Sequence, residues 1–172
     1  DRLKRALANE ASHRTIVVAL FSGEEVGLAG SSHFVNSPPF PLGRCTAMIN
    51  LDMVGRLPDD TLVALGSETA PEWSGAIERA ARAVTGLKVT GRGDGYGPSD
   101  HTSFYSSGIP VLHLFTGAHE AYHTPDDKPG TVDAEGAARV TRFTAALAEG
   151  LAREPVRLTY MRSTYGPTMT GD

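Results

Sequence analysis

Four short apolar runs along the chain predict buried strands. Residues 15–21 (TIVVALF) are continuous and rich in β-branched side chains, which is typical of a central strand covered on both faces. Residues 46–51 (TAMINL), 61–65 (TLVAL) and 109–115 (IPVLHLF) have the same character. The turn-like residues 55–60 predict that the second and third strands pair as a hairpin.

Three segments predict helices. Residues 26–35 follow the first run, and in residues 71–84 apolar positions recur at helical spacing after a proline suited to a first turn. Residues 132–152, which open with Asp133 and are rich in alanine, carry the strongest helix pattern in the chain. Alternating strands and helices predict an α/β layered domain with a mainly parallel sheet.

Proline and glycine mark the irregular segments. Residues 38–41 (PPFP) predict a loop because proline removes backbone donors, and residues 91–98 (GRGDGYGP) are too rich in glycine for regular structure. Residues 119–131 predict another loop. We therefore expect one domain over residues 1–154, with residues 155–172 as a tail or the start of a linker.

Composition narrows the classes of function. With 172 residues, 40% of them hydrophobic and 21% charged, the chain fits one globular domain. A net charge of -4 without clustered Lys and Arg argues against a nucleic-acid surface, and no apolar run is long enough to predict a membrane span. Cys45 is the only cysteine, so any metal has to be bound by His and carboxylates.

Acidic and imidazole groups follow the predicted strands. Glu24 and Glu25 come after the first, Asp52 ends the second, and Tyr122 and His123 lie in the loop after the last. Functional groups of α/β folds gather at the carboxyl ends of strands, and a cation would compensate such carboxylates near a core. Two other interpretations stay open: the glutamate pair interacts with a helix dipole, and Asp52 is a turn residue.

His123 lies in the sequence AYHTPDD. Pro125 stiffens this loop, and Asp126 or Asp127 is placed to orient the imidazole, as partners of metal-bound histidines often do. The alternative is a solvated histidine on a surface loop. His113, inside an apolar run, is most simply a buried core histidine.

Four motifs carry a resemblance to a known family. In order they are TIVVALFSGEEVGLAGSSHFV, INLDMVGR, SDHTSFYSSGIPVLHLF and YHTPDD, and the match covers most of the chain from about residue 15 to about residue 147. They resemble the motifs of bacterial leucyl aminopeptidase-like di-zinc exopeptidases, which are related to glutaminyl cyclases. The resemblance implies a three-layer α/β sandwich with a mainly parallel central sheet flanked by helices.

The resemblance also implies a reaction. Two zinc ions bridged by an aspartate and a water would act on the amino-terminal peptide bond, with Glu24 as the general base. Glu25 and His123 would bind one zinc ion, and Asp52 would bind the other. Peptides are the implied substrates.

Further residues have implied roles. Tyr122 resembles a phenol that donates to the developing oxyanion, and Tyr96 resembles one that contacts substrate. For each tyrosine the alternative is an amphipathic packing residue. Asp100 and His101, in the SDH motif, are expected to support the site.

The chain departs from the family pattern at its start. The family has a His-x-Asp motif upstream of the glutamate pair, which this sequence lacks, and residues 1–10 (DRLKRALANE) are typical of the end of a helix. We therefore expect an N-terminally truncated catalytic domain with little activity and weak zinc affinity by itself. A periplasmic or secreted parent is expected from the resemblance. The alternatives are a single-zinc glutaminyl cyclase and a catalytically silent interaction domain.

Overall fold

The computed structural model describes residues 13–155 and 157–163. The helix end predicted within residues 1–10 and most of the predicted tail lie outside these ranges. The described residues form four strands: β1 (Met48–Leu51), β2 (Thr61–Leu65), β3 (Lys88–Arg92) and β4 (Val111–Phe115). They also form four α-helices: α1 (Ala29–Asn36), α2 (Trp73–Ala81), α3 (His101–Ser106) and α4 (Ala134–Arg153).

The four strands form one sheet in the order β1-β4-β2-β3. β1 is parallel to β4 and β2 is parallel to β3, whereas β2 and β4 are antiparallel. The sheet is therefore mixed but mainly parallel, as predicted. The predicted hairpin of β1 and β2 is wrong because β4, the most deeply buried strand, lies between them.

Helices cover both faces of the sheet. Leu112 and Leu114 of β4 pack with α2 and α4, and Val111 belongs to a second cluster with Phe104 and Tyr105 of α3. This alternation along one strand, with period two, produces the three layers. The predicted fold class is thus confirmed.

The C-terminal helix α4 follows its sequence pattern closely. The Asp133 carboxylate accepts a hydrogen bond from the Gly136 amide at 2.8 Å, which caps the first turn. Val140, Phe143 and Leu147 lie three and four residues apart and are buried on one face. No helix in the two described ranges is long and apolar enough to cross a membrane.

The strand predicted at residues 15–21 is wrong. None of the four strands pairs with this segment, which has no regular structure, and the Val18 and Leu20 side chains are 82% and 96% exposed. A strand requires hydrogen bonds from a neighbour, and an apolar run does not provide them by itself. This segment leaves an apolar strip on the surface, formed by Val17, Val18 and Leu20.

Two short elements were not predicted. β3 includes Gly91 and Arg92, so the irregular segment begins later than expected. An added Cβ at Gly91 would lie 3.1 Å from the Ser67 side chain, and this close approach explains a glycine inside the strand. α3 has only six residues, too few to show a helical period in the sequence.

Candidate functional site

The candidate site lies at one edge of the sheet. Because β1 and β4 are parallel, with Leu51 opposite Leu114, both strands end at the same edge. Asp52 directly follows β1, and the loop after β4 carries Tyr122 and His123. β2 and β3 run against β4, so their carboxyl ends lie at the opposite edge.

Glu25 and His123 are in direct contact although 98 residues separate them. The Nε2 atom of His123 lies 2.7 Å from Oε1 of Glu25, and both side chains are more than half exposed. His123 has a positive φ of 55°, in the left-handed region that histidine enters more often than most residues do.

Tyr122 lies beside this pair. Its ring stacks on the His123 imidazole, with 3.9 Å between centroids and 22° between planes, and it is edge-on to His119 at 6.4 Å. The Tyr122 side chain is 46% exposed. It therefore supports the His123 ring from one side while remaining accessible from solvent.

Glu24 is held in a concentration of negative charge. Burial raises the pKa of its carboxyl first, and the nearby Asp52, Glu25 and Asp100 raise that pKa further, whereas His123 lowers it. A carboxylate with a raised pKa is a stronger base than an ordinary carboxylate. The same field would favour a bound cation.

Asp52 is fixed by residues that the sequence interpretation missed. Its Oδ2 accepts a hydrogen bond from the Ser99 hydroxyl at 2.9 Å, and Ser99 accepts one from the Asn50 amide at 2.7 Å. The same amide nitrogen lies 3.0 Å from Nδ1 of His113. The only sequence signal was position, since Asn50 precedes Asp52 by two residues and Ser99 opens the SDH motif.

The SDH motif is buried beneath these groups. Asp100 is near enough to raise the pKa of Glu24, and its Oδ1 atom has no hydrogen-bond partner in the described ranges. His101 is 1% exposed and stacks on His113, with 4.6 Å between centroids. Burial, and then the charge of His113, lowers the pKa of His101 to about 3. His113 is 5% exposed, so it is a buried core histidine as predicted.

The predicted orientation of His123 by Asp126 or Asp127 is wrong. Asp126 pairs with Lys128 at 2.8 Å, and Asp127 pairs with Arg56 at 2.8 Å. Each carboxylate has a permanent cation within reach, so it faces that cation and not the imidazole. Arg56 also donates to the Thr131 hydroxyl at 2.7 Å, which ties the loop after β4 to the chain after β1.

Tyr96 lies among the apolar residues on the α3 side of the sheet. Its ring packs edge-on against Tyr105, with 4.9 Å between centroids, and its amide binds the Asp94 carboxylate at 3.1 Å. These contacts agree with the packing alternative. Its role as a substrate contact stays a prediction.

The metal-binding capacity of these groups is partial. Within residues 13–155 and 157–163, no three His, Cys, Asp or Glu side chains form a group that could hold a metal ion. Glu25 and His123 offer one oxygen and one nitrogen, and Asp52 offers a further carboxylate. Oxygen and nitrogen atoms of these types are common ligands of divalent metal ions. A catalytic site, however, usually has three protein ligands for each ion.

Comparisons with known proteins converge on one family. The model of peptidase family M28 matches residues 2–148. Aminopeptidase YwaD of Bacillus subtilis is 31% identical over 136 residues, which cover 73% of this chain and 29% of the relative. The structure titled BSAP, a zinc aminopeptidase from Bacillus subtilis, matches with a TM-score of 0.67 and 26% identity over 78% of this chain and 35% of that one.

A cyclase shares the fold as well. The Porphyromonas gingivalis glutaminyl cyclase matches with a TM-score of 0.60 and 20% identity over 77% of this chain and 49% of that one, which shows the fold alone. The chain spans less than a third of the length of the curated relatives it matches. Because the family model covers most of the chain and its strand-end motifs meet at one edge of the sheet, the chain belongs to peptidase family M28.

Proposed function

We propose that the protein to which this chain belongs is a zinc-dependent aminopeptidase that removes N-terminal residues from peptides. The observation that carries the proposal is the contact of Glu25 with His123 at 2.7 Å, next to a Glu24 carboxyl of raised pKa. One oxygen and one nitrogen ligand are part of the set of three protein ligands that a catalytic zinc ion usually has, and a free acid beside them suits metal-assisted hydrolysis. The similarity of this chain to an aminopeptidase and to a zinc aminopeptidase of Bacillus subtilis supports the same reaction.

Two zinc ions are part of the proposal. Glu25 and His123 are the ligands proposed for one ion and Asp52 for the other, so further donors have to come from elsewhere in the protein. When bound, the ions would lower the pKa of a water molecule and polarise the scissile carbonyl group. The residues of this chain would bind those ions, orient the substrate and move protons.

Glu24 is proposed as the general base. It would take the proton from the attacking water and deliver it to the leaving amine, and its raised pKa makes it a stronger base than an ordinary carboxylate. The Tyr122 phenol, which is half-exposed and stacked on His123, would donate a hydrogen bond to the negative charge that forms on the carbonyl oxygen.

The test compares variants of the full-length protein in zinc content and in hydrolysis of an aminoacyl p-nitroanilide. Glu24→Gln should retain zinc and lose roughly 10²-fold or more of kcat, the range typical of a general base. Glu25→Gln should lose zinc as well as activity. Glu120→Gln, an exposed change in the loop that carries His123, is the matched control and should behave as wild type.

Two results would contradict the proposal. A wild-type kcat in the Glu24→Gln variant would show that Glu24 is not the general base. Absence of zinc binding by the wild-type protein would show that the reaction does not use zinc. Cyclisation of an N-terminal glutaminyl peptide without aminopeptidase turnover would favour the cyclase, for which the present support is likeness of fold alone.

A further inference from the structure

A buried chain of three hydrogen bonds runs from the core of the sheet to Asp52. It joins His113 Nδ1 to Asn50 Nδ2 at 3.0 Å, Asn50 Nδ2 to Ser99 Oγ at 2.7 Å, and Ser99 Oγ to Asp52 Oδ2 at 2.9 Å. Asn50, Ser99 and His113 are 7%, 2% and 5% exposed. Apolar side chains would fill these core positions at a lower desolvation cost, so the polar chain calls for an explanation.

The direction of these hydrogen bonds follows from the hydrogens that each group carries. The Asn50 amide nitrogen has two hydrogens, and His113 Nδ1 and Ser99 Oγ are the two acceptors within its reach. Ser99 has a single hydrogen, and once it accepts from Asn50, that hydrogen is free for Asp52. The polarity of the whole chain therefore depends on His113 presenting Nδ1 as an acceptor, with its proton on Nε2.

The imidazole that starts the chain is held in place by its neighbours. The His113 ring lies parallel to His101, with 4.6 Å between centroids and 7° between planes, and it stacks at 24° on Phe115 with 5.7 Å between centroids. It also lies on β4, an inner strand, directly opposite Asn50 of β1 in the parallel register. The acceptor His113 and the donor Asn50 thus lie on two neighbouring strands that pair with each other.

We infer that His113 and Asn50 are positioning residues for the metal ligand Asp52, acting through the hydroxyl of Ser99. Their hydrogen bonds direct the Ser99 proton to Oδ2 of Asp52, which fixes the plane of a carboxylate that would bind the metal ion. This inference rests on the proposed function, because it assigns Asp52 to a zinc ion. Partners behind a ligand typically change metal affinity by 10- to 100-fold when they are removed.

A matched pair of substitutions at His113 separates positioning from packing. In His113→Asn the side-chain oxygen can occupy nearly the position of Nδ1 and accept from Asn50, whereas His113→Leu has similar bulk and no acceptor. Both variants lose the ring stack on His101, so both should lose stability. In the full-length protein, zinc affinity is measured by competition with a chelating dye, and stability by urea unfolding.

The inference predicts a split between these two variants. His113→Leu should weaken zinc binding about 10-fold or more, whereas His113→Asn should stay within roughly 3-fold of wild type. Thr69→Val is the control: Thr69 is buried and hydrogen-bonded to Val111 at the other end of β4. That variant should be less stable and bind zinc as wild type does.

Asn50→Asp provides a second test if the His113 variants do not fold. Its oxygen replaces the donor nitrogen, so the Ser99 proton can turn toward residue 50 and away from Asp52. The added negative charge alone would strengthen cation binding. Weaker zinc binding by Asn50→Asp therefore supports the inference, and stronger binding overturns it.

The outcomes distinguish this inference from the proposed function. If wild type binds zinc and His113→Leu binds it equally well, the positioning role is overturned and the proposed function stands. The same holds if His113→Leu and His113→Asn weaken zinc binding equally. A wild-type protein without zinc affinity overturns both.

Discussion

The buried His101 should make the folded state sensitive to acid. Its ring is 1% exposed and stacks on His113, and burial together with the charge of His113 lowers its pKa to about 3. In the unfolded chain a histidine takes up a proton near pH 6.5. Between these two pH values the unfolded state binds a proton that the folded state excludes.

The sign and size of the effect follow from this difference. The stability that depends on neutral His101 is complete above pH 6.5 and decreases as the pH falls towards 3. One proton corresponds to about 1.4 kcal/mol per pH unit, so about 2 kcal/mol is lost by pH 5. The lowered pKa of His113 acts in the same direction. The raised pKa of Glu24 acts in the opposite direction, because ionised Glu24 destabilises the fold as the pH rises.

The assay is urea unfolding at pH 5, 6 and 7.5, followed by the fluorescence of Trp73, the only tryptophan and fully buried. The substitution His101→Leu should make the free energy of unfolding less dependent on pH. It should recover about 2 kcal/mol of the stability that wild type loses between pH 7.5 and pH 5. The control Val140→Ala, at a buried position in α4, should lower stability by a similar amount at every pH. A wild-type slope retained in His101→Leu would refute the assignment to this histidine.

Three further predictions concern other parts of the structure. Phe143→Ala, at a fully buried position of α4, should lower the free energy of unfolding by about 3–5 kcal/mol in urea denaturation, and a smaller loss would mean that the core refills the cavity. Asp133→Ala should cost about 1 kcal/mol because the α4 cap is lost, whereas Asp133→Asn should retain most of the stability. Arg56→Ala should speed amide hydrogen exchange in residues 116–131 and change global stability by less than about 1 kcal/mol, since the ion pair is partly exposed. Lys128→Ala removes a local pair in the same loop and should leave that exchange unchanged, and equal rates in both variants would show that Arg56 does not hold the loop.

The sequence was most informative where local composition decides the structure. Residues 46–51, 61–65 and 109–115 are apolar enough to be strands in any layered fold, and α4 has a helical period with a cap. The hairpin prediction failed because strand order depends on burial across the whole sheet, and β4 is too apolar to lie at an edge. The run at residues 15–21 shows the same limit, since hydrophobicity does not specify a partner.

The candidate site could be predicted in part for a similar reason. Asp52 and His123 were predicted as site residues because strand ends of parallel neighbours meet at one edge, and that rule needs only the order of elements; their roles stay a prediction. The partners of these residues needed the structure. Ser99 reaches Asp52 across 47 positions, and Asp127 pairs with Arg56 across 71, distances over which sequence spacing carries no geometric information.

The apolar strip formed by Val17, Val18 and Leu20 has a consequence for how the glutamate pair of the site takes up a fixed conformation. Leu20 lies only four residues before Glu24, so the strip and the glutamate pair share one short piece of backbone. We therefore expect that a contact that covers the strip and a cation that holds the carboxylates restrict the same backbone, so that each would favour the other. A cation that captures Glu25 and His123 should reduce the binding of a hydrophobic dye to the strip, although it touches none of its side chains.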